Sequence, residues 1–254
     1  MSDFYDHLAD WYHLIFPDWE ESMTRQGEAL SYLLVSEGPP VASADFRVLD
    51  AAAGIGTQAL ALAAKGYAVS ARDLAAAPIL RLRDEAERRE LQVDAGIADM
   101  RSLTSADFDS PFHAVVVLDN AVAHLDSDEE ILETFRGLHD VLVPGGVLLC
   151  SVRNYDSIER GVDRRHPYGE REVDGERYRV WQDWRWLDHD RYESTMVVQQ
   201  DEEGTWVDRV RTNATFRPVA VRKLLTLLVL AGFQGCEDRN GPFYQPLVLG
   251  RRPK

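Results

Sequence analysis

The sequence is poor in cysteine and in basic residues. Its 254 residues include two cysteines, Cys150 and Cys236, which are too few for a disulfide framework or a zinc cluster. Lysine and arginine number 28 against 43 aspartates and glutamates, which gives a formal net charge of −15. Such a charge repels polyphosphate and anionic lipid. We therefore expect no nucleic-acid partner, no membrane partner and no metal.

Long apolar runs are also missing. The longest, Leu224 to Phe233, is far shorter than the roughly 20 residues that a membrane-spanning helix needs. Residues Met1 to Asp10 contain three aspartates and no apolar core of signal length. The chain nevertheless has 45% apolar and 28% charged residues, a composition typical of a globular protein that buries a core. We expect a soluble, cytoplasmic protein.

The spacing of apolar residues divides the chain into three parts. Residues 1–40 show helical spacing and predict two helices. From residue 41 to 156, short apolar runs alternate with longer helical ones, a pattern that predicts a parallel sheet with crossover helices. Residues 157–216 predict an antiparallel β insertion with a hairpin turn at Asp174-Gly175. Residues 217–254 return to a helix and two strands, which we assign to the α/β core.

The strongest local signal is a glycine turn between a predicted strand and a predicted helix. An apolar strand ends at Asp50, a tight turn contains Gly54 and Gly56, and an alanine-rich helix follows. The N-terminus of a helix carries unpaired N–H groups and about half a positive charge, so it stabilises an anionic ligand group. Small side chains such as that of Ala52 let a ligand touch the backbone. This turn predicts a ligand site.

Acidic residues follow the neighbouring predicted strands. Asp73 ends the second strand and Asp99 the third, and the carboxyl ends of parallel strands meet at one crevice. The loop also satisfies a relaxed dinucleotide fingerprint, Gly54-x-Gly56-x-x-Ala59, with Asp73 at a suitable distance for a ribose. An NAD-dependent oxidoreductase therefore stays open as an alternative.

These motifs resemble those of the class I S-adenosylmethionine-dependent methyltransferases, and within them the glycine and sarcosine N-methyltransferase branch. The resemblance extends from about Tyr12 to Tyr244. It rests on the segments Asp50 to Gly56, Val69 to Asp73, Ala98 to Met100, Leu118 to Leu125 and Pro144 to Gly146. It implies a Rossmann-like, doubly wound, mostly parallel seven-stranded sheet with N-terminal helices and an antiparallel β excursion.

The resemblance implies S-adenosylmethionine as the cofactor. In the family, the glycine loop wraps the methionine part, the acid after the second strand takes the ribose hydroxyls, and the acid after the third accepts from the adenine amine. The N-terminal helices fold over the cofactor as a lid, and an aromatic ring near a sulfonium is worth up to about 2 kcal/mol. The cofactor-binding residues that we expect are Asp50, Ala52, Gly54, Gly56, Asp73, Leu74, Asp99, Met100, Leu118, Tyr12, Trp19 and Arg25.

A second set of residues resembles the substrate site of the family. Arg153-Asn154-Tyr155-Asp156 is similar to a segment of glycine N-methyltransferases whose arginine clamps the substrate carboxylate. A guanidinium binds a carboxylate through two parallel hydrogen bonds. We expect Arg153 to hold the substrate, Asn120 to orient it, His124 to accept the proton of the amine, and Tyr12 to contact the sulfonium.

The sequence thus predicts transfer of a methyl group from S-adenosylmethionine to a nitrogen of a small molecule that bears a carboxylate. An O- or C-methyltransferase of a secondary metabolite and a non-catalytic cofactor-binding protein stay open beside the oxidoreductase. The aromatic β insertion can line the substrate pocket, cover the parallel sheet or form the interface of a homo-oligomer.

Overall fold

The computed structural model describes residues 2–239, 241 and 243–254. The α-helices are α1 (Ser2–Leu8), α2 (Trp19–Glu37), α3 (Thr57–Ala64), α4 (Ala76–Arg88), α5 (Asp128–Asp140) and α6 (Val221–Leu230). The strands are β1 (Arg47–Asp50), β2 (Ala68–Asp73), β3 (Val93–Ile97), β4 (Phe112–Val117), β5 (Leu142–Ser151), β6 (Arg164–Val173), β7 (Glu176–Trp186), β8 (Tyr192–Glu202), β9 (Thr205–Phe216), β10 (Gln234–Asp238) and β11 (Leu247–Arg251). No helix in the described part of the chain has the length and apolar character needed to cross a membrane.

The main sheet has seven strands in the order β10-β11-β5-β4-β1-β2-β3. Strands β1 to β5 pair in parallel, whereas β11 runs antiparallel to β5 and β10 antiparallel to β11. The predicted doubly wound, mostly parallel sheet is confirmed. Because the chain order reverses between β1 and β4, the crevice for a ligand lies at the carboxyl ends of these strands.

A separate antiparallel sheet is formed by β6, β7, β8 and β9, and all four strands lie within residues 157–216. The Tyr192 ring is fully buried and stacks on Phe216, with ring centroids 5.4 Å apart, and on Trp184, with centroids 4.2 Å apart. These rings belong to the same apolar core as Leu49 of β1 and Val115 of β4. The inner face of the second sheet is therefore covered within this chain.

The N-terminal segment contains a break that the apolar spacing does not predict. The first predicted helix is divided into α1 and a short 3-10 helix at Tyr12–Ile15. Helix α2 then begins after Asp18, whose carboxylate accepts the Glu21 N–H at 2.9 Å and caps the helix. Helix α1 is fixed to α4, because the Asp6 carboxylate accepts the Ala77 N–H at 2.8 Å. The division places side chains of α1 and of the 3-10 helix beside the ends of β1 and β4.

Gly56 has a packing role at the start of α3. Its φ is +92°, and a Cβ at this position would lie 2.7 Å from Cγ of Leu82 and 3.1 Å from Cγ of Leu60. Gly56 stands between Ile55 and Thr57, which both line the ligand crevice, but it is not itself among the lining residues. The glycine is needed here because it tolerates both the left-handed backbone and the close approach of α4.

We predict that Gly56→Ala lowers the free energy of unfolding by about 2–5 kcal/mol, since left-handed strain costs about 1–2 kcal/mol and overpacking about 1–3 kcal/mol. Gly204→Ala is the matched control, because Gly204 has φ +88° but no atom within 4 Å of its added Cβ. Urea denaturation measures both losses. Equal losses in the two variants would contradict the packing explanation.

Candidate active site

The glycine loop is tied to the end of β2 by one carboxylate. Asp73 Oδ2 accepts the Gly54 N–H at 2.8 Å, and Asp73 Oδ1 accepts the Ala75 N–H at 2.9 Å. Burial raises the pKa of Asp73, and these backbone donors act in the opposite direction. One side chain therefore fixes both the turn after β1 and the turn after β2.

A first cavity opens at the carboxyl ends of β1, β2 and β4. Its walls include the loop 51–55, the start of α3 and residues from the turns after β2, β3 and β4. The structure brings together here most of the residues that the sequence predicts to bind the cofactor. These are Tyr12, Ala52, Gly54, Asp73, Leu74, Asp99, Met100 and Leu118, and the predicted catalytic residue His124 lies beside them.

Asp99 lies on the cavity wall in a fixed orientation. Arg101 donates to both of its oxygens, from Nε at 3.0 Å and from Nη2 at 2.6 Å. These hydrogen bonds hold the pKa of Asp99 below its usual range. Arg101 also lines the cavity, and sequence reasoning missed it although it stands only two residues from Asp99. The pair presents an ionised carboxylate beside Met100.

Asp50 lies beneath the loop rather than on the cavity wall. Its side chain is 1% exposed, and its Oδ1 accepts the Ala52 N–H at 3.4 Å. Burial raises the pKa of Asp50 to about 8. The contact with Ala52 shows that Asp50 orders the turn. Asp50 was expected to bind the cofactor, but it is not among the residues that line the first cavity.

Trp19 and Arg25 also lie away from the first cavity. The Trp19 indole donates from Nε1 to Thr57 Oγ1 at 2.9 Å and is buried between α2 and α3. Arg25 lies on α2 beside a different cavity, next to Phe16 and Tyr244. Both residues were expected to contact the cofactor. Because α2 packs along α3, neither of them is among the residues that line the first cavity.

A second cavity of about 260 Å³ adjoins the first. Three residues, Tyr5, Tyr12 and Asp119, line both cavities and form a wall that we call the shared wall. The other residues that line the second cavity include both polar and apolar ones. The polar residues are Asn120, Arg153, Tyr168, Gln182, Tyr244 and Gln245, and the apolar ones are Phe4, Leu8, Ile15, Phe16, Met196 and Phe216.

The Arg153 guanidinium is partly buried and is surrounded by neutral groups. Its Nη2 donates to Gln182 Oε1 at 3.1 Å and to Tyr168 Oη at 3.3 Å, and its Cζ lies 5.1 Å from the centre of the Trp184 ring. Within residues 2–239, 241 and 243–254, no carboxylate oxygen lies within 4.0 Å of this guanidinium, and its Nε has no hydrogen-bond partner. A buried charge is costly unless it is paired. The arrangement therefore favours an anionic ligand group in the second cavity.

Asn120 holds Arg153 in place. Its Oδ1 accepts the backbone N–H of Arg153 at 3.2 Å, and its Nδ2 donates to Tyr155 Oη at 2.8 Å. Both ends of the amide are thus bound within the chain. These contacts position Arg153, and Asn120 also lines the second cavity, so its expected role in orienting the substrate stays a prediction.

His124 is buried and hydrogen-bonded to α1. Its Nε2 lies 2.7 Å from the hydroxyl oxygen of Tyr5, and the residue is 8% exposed. Burial lowers the pKa of His124 to about 4, so the ring is neutral at pH 7. Tyr5 was missed by sequence reasoning, although it stands one heptad before Tyr12 on the N-terminal segment. An imidazole with such a lowered pKa is a weak acceptor for the proton of an amine.

Comparison with known proteins agrees with this geometry. Residues 48–146 match the family described as methyltransferase domain. A glycine/sarcosine N-methyltransferase of Aphanothece halophytica is 30% identical over 162 residues, which are 63% of this chain and 58% of that protein. The crystal structure of DesVI from Streptomyces venezuelae has a TM-score of 0.78 at 19% identity and covers 97% of this chain and 98% of that one. An S-adenosylmethionine-dependent methyltransferase from Clostridium acetobutylicum has a TM-score of 0.72 at 12% identity, covering 90% and 91%.

The chain therefore carries a methyltransferase domain in the class I, S-adenosylmethionine-dependent fold. The predicted family resemblance, with S-adenosylmethionine as the cofactor, is confirmed. The chain spans less than two thirds of the curated relatives that it matches, 58% and 59% of the first two.

We predict that His124 destabilises the protein in acid. Its folded pKa of about 4 lies below the ordinary value of 6.5, so its contribution to stability is complete above pH 6.5 and is lost as the pH falls toward 4. Between pH 7.5 and 5.0 this loss amounts to about 2 kcal/mol. Urea denaturation at the two pH values measures it. The variant His124→Gln should lack this part of the pH dependence, and an unchanged pH dependence in the variant would refute the assignment.

Proposed function

We propose that this protein transfers a methyl group from S-adenosylmethionine to a nitrogen of a small molecule that bears a carboxylate. The observation that carries the proposal is the unpaired guanidinium of Arg153 in a cavity that shares a wall with the first cavity. Glycine/sarcosine N-methyltransferases among the relatives support nitrogen as the acceptor.

The residues of the first cavity fit the cofactor. The loop 51–55 offers backbone and small side chains to its methionine part, and the Asp73 and Asp99 carboxylates offer acceptors to the ribose and the adenine amine. Tyr12 offers an aromatic ring on the shared wall, where a sulfonium is stabilised by cation–π attraction. Of the predicted contacts, those of Asp50, Gly56, Trp19 and Arg25 are not part of this proposal.

The second cavity fits a substrate larger than glycine. Its volume of about 260 Å³ is near the lower end of the range of about 300–1,000 Å³ for small-molecule sites. Apolar side chains, among them Leu8, Met196 and Phe216, line the same cavity as Arg153. A carboxylate that pairs with Arg153 would place an apolar group of the substrate against these side chains.

The chain's own residues mainly position the two reactants. Arg153 fixes the carboxylate, Asn120 fixes Arg153, and the buried walls exclude water; alignment of two reactants is worth roughly 7–11 kcal/mol. Bound S-adenosylmethionine would supply an electrophilic methyl group, and the acceptor would be the neutral nitrogen of the amine that Arg153 holds by its carboxylate.

The function is tested with purified protein and a panel of glycine, sarcosine and L-leucine. S-Adenosylmethionine should raise the melting temperature while NAD leaves it unchanged, and S-adenosylhomocysteine should accumulate only when a carboxylate-bearing amine is present. Stabilisation by NAD alone would favour the oxidoreductase. Cofactor binding without turnover on any amine would contradict N-methyl transfer.

We predict that Arg153→Gln raises KM for the carboxylate-bearing amine about 10- to 100-fold, because a charge-assisted hydrogen bond is worth about 1.5–3 kcal/mol. The affinity for S-adenosylmethionine should change less than twofold. Steady-state kinetics and calorimetry measure the two quantities. Arg165→Gln is the control, since Arg165 pairs with Asp183 on the outer face of the second sheet. An equal loss of both affinities would count against the clamp.

We predict that Asp73→Ala weakens the binding of S-adenosylmethionine by about 1–3 kcal/mol, because both the ribose contact and the anchor of the glycine loop are lost. Calorimetry measures this affinity. Asp94→Ala serves as the control, because Asp94 lies on β3 and pairs with Arg72 outside the first cavity. Cofactor affinity that is the same in the two variants would refute the role of Asp73.

A further inference from the structure

We propose that Asp119 binds the amino group of the substrate, so that the second cavity recognises a compound that carries both an amine and a carboxylate. This inference rests on the proposed function, because it concerns the same cavity. Neither the cofactor motifs nor the Arg153 segment assigns a role to Asp119.

Asp119 occupies the place that an acceptor nitrogen must reach. It follows β4 directly and lines both cavities, so its carboxylate lies on the shared wall between cofactor and substrate. A nitrogen that attacks the methyl group has to lie at this junction. Arg153 lines only the second cavity, and the two charged groups therefore mark two different parts of the substrate.

Three side chains hold Asp119 in position. Gln58 Nε2 donates to Asp119 Oδ2 at 2.9 Å and also to Gln26 Oε1 at 2.7 Å. The Tyr244 hydroxyl donates to Asp119 Oδ1. Ser151 Oγ accepts the backbone N–H of Asp119 at 3.0 Å. Each carboxylate oxygen receives one donor from the chain, and an oxygen of a carboxylate can accept a second.

The backbone at this turn is held in an unusual conformation. Asp119 has φ +54° and Asn120 has φ +72°, a left-handed region that non-glycine residues rarely adopt. Such strain costs about 1–3 kcal/mol per residue and persists where the surroundings enforce it, which is common at functional sites. At this turn the conformation places the Asp119 carboxylate on the shared wall and the Asn120 amide beneath Arg153.

Asp119 makes no ion pair within the described part of the chain, where no nitrogen of lysine, arginine or histidine lies within 4.0 Å of its carboxylate. Burial raises its pKa, while the hydrogen bonds from Tyr244 and Gln58 and the more distant charge of Arg153 lower it. A ligand cation therefore gains from contact with this group, and methyl transfer leaves the positive charge on the nitrogen that Asp119 faces.

His124 does not offer the same contact. Its ring is neutral at pH 7 and its Nε2 is engaged by Tyr5 at 2.7 Å. We therefore assign the contact with the amine to the carboxylate five residues earlier in the same loop, whereas the expectation that His124 receives the amine proton stays a prediction.

The test uses three ligands that differ by one charged group. L-Leucine carries both groups, 3-methylbutylamine lacks the carboxylate, and 4-methylpentanoate lacks the amine. Each is titrated by calorimetry into the protein saturated with S-adenosylhomocysteine. The variants are Asp119→Asn, which keeps the shape of the side chain, and Asp126→Asn, which removes one charge from an exposed position further along the same loop.

Asp119→Asn should weaken L-leucine and 3-methylbutylamine about 10- to 100-fold, as expected for a lost charge-assisted hydrogen bond, and should change 4-methylpentanoate less than twofold. Asp126→Asn should bind all three like the wild type. Equal weakening of all three ligands by Asp119→Asn, or no binding of either amine to the wild type, would overturn the assignment.

Two further results separate this inference from the proposed function. If Arg153→Gln leaves 4-methylpentanoate binding unchanged while Asp119→Asn still weakens the amines, the carboxylate clamp fails and the ammonium site stands. If Asp119→Asn lowers the affinity for S-adenosylmethionine relative to S-adenosylhomocysteine and leaves both amines unaffected, the carboxylate serves the sulfonium and the inference is wrong.

Discussion

A guanidinium that is taken out of water without a counter-ion loses several kcal/mol of hydration, and Arg153 is in this situation. Its neighbours, Gln182, Tyr168 and the Trp184 ring, are neutral groups that hold the cation without neutralising it. The second sheet supplies all three, and Asn120 fixes the backbone of Arg153 from the other side. The antiparallel insertion and the loop after β4 thus both contact one positive charge, and the proposed specificity for an anionic group rests on the absence of an ion pair to Arg153 among the described residues.

The shared wall lies between the second cavity, which contains Arg153, and the first cavity. Tyr5 and Tyr12 reach it from the N-terminal segment, and Asp119 reaches it from the end of β4. Helix α1 can place Tyr5 there because Asp6 anchors it to α4. In the proposed function, a substrate bound in the second cavity meets the first cavity at these three side chains. Its carboxylate would pair with Arg153 and its nitrogen with Asp119.

The parallel sheet, the glycine loop and the positions of Asp73 and Asp99 could be predicted from the sequence, because each depends on residues close together in the chain and on the rule that strand ends converge. The contacts that the side chains of α2 make could not be predicted from the sequence. Whether Trp19 faces the cofactor or α3 depends on how α2 crosses the sheet, and apolar spacing does not give that angle. Tyr5, Gln58 and Gln182 were missed for a related reason: each acts through a partner between 29 and 119 positions away. His124 was found, but its burial and lowered pKa depend on the packing of α1.

The most direct test of the account is a crystal structure of this protein with S-adenosylhomocysteine and L-leucine. The account predicts the thioether sulfur in the first cavity facing Tyr12 and Asp119, the leucine carboxylate on Arg153, and the amino nitrogen on the Asp119 side of the shared wall. A sulfur atom directed away from that wall, or a leucine carboxylate bound elsewhere than at Arg153, would contradict it.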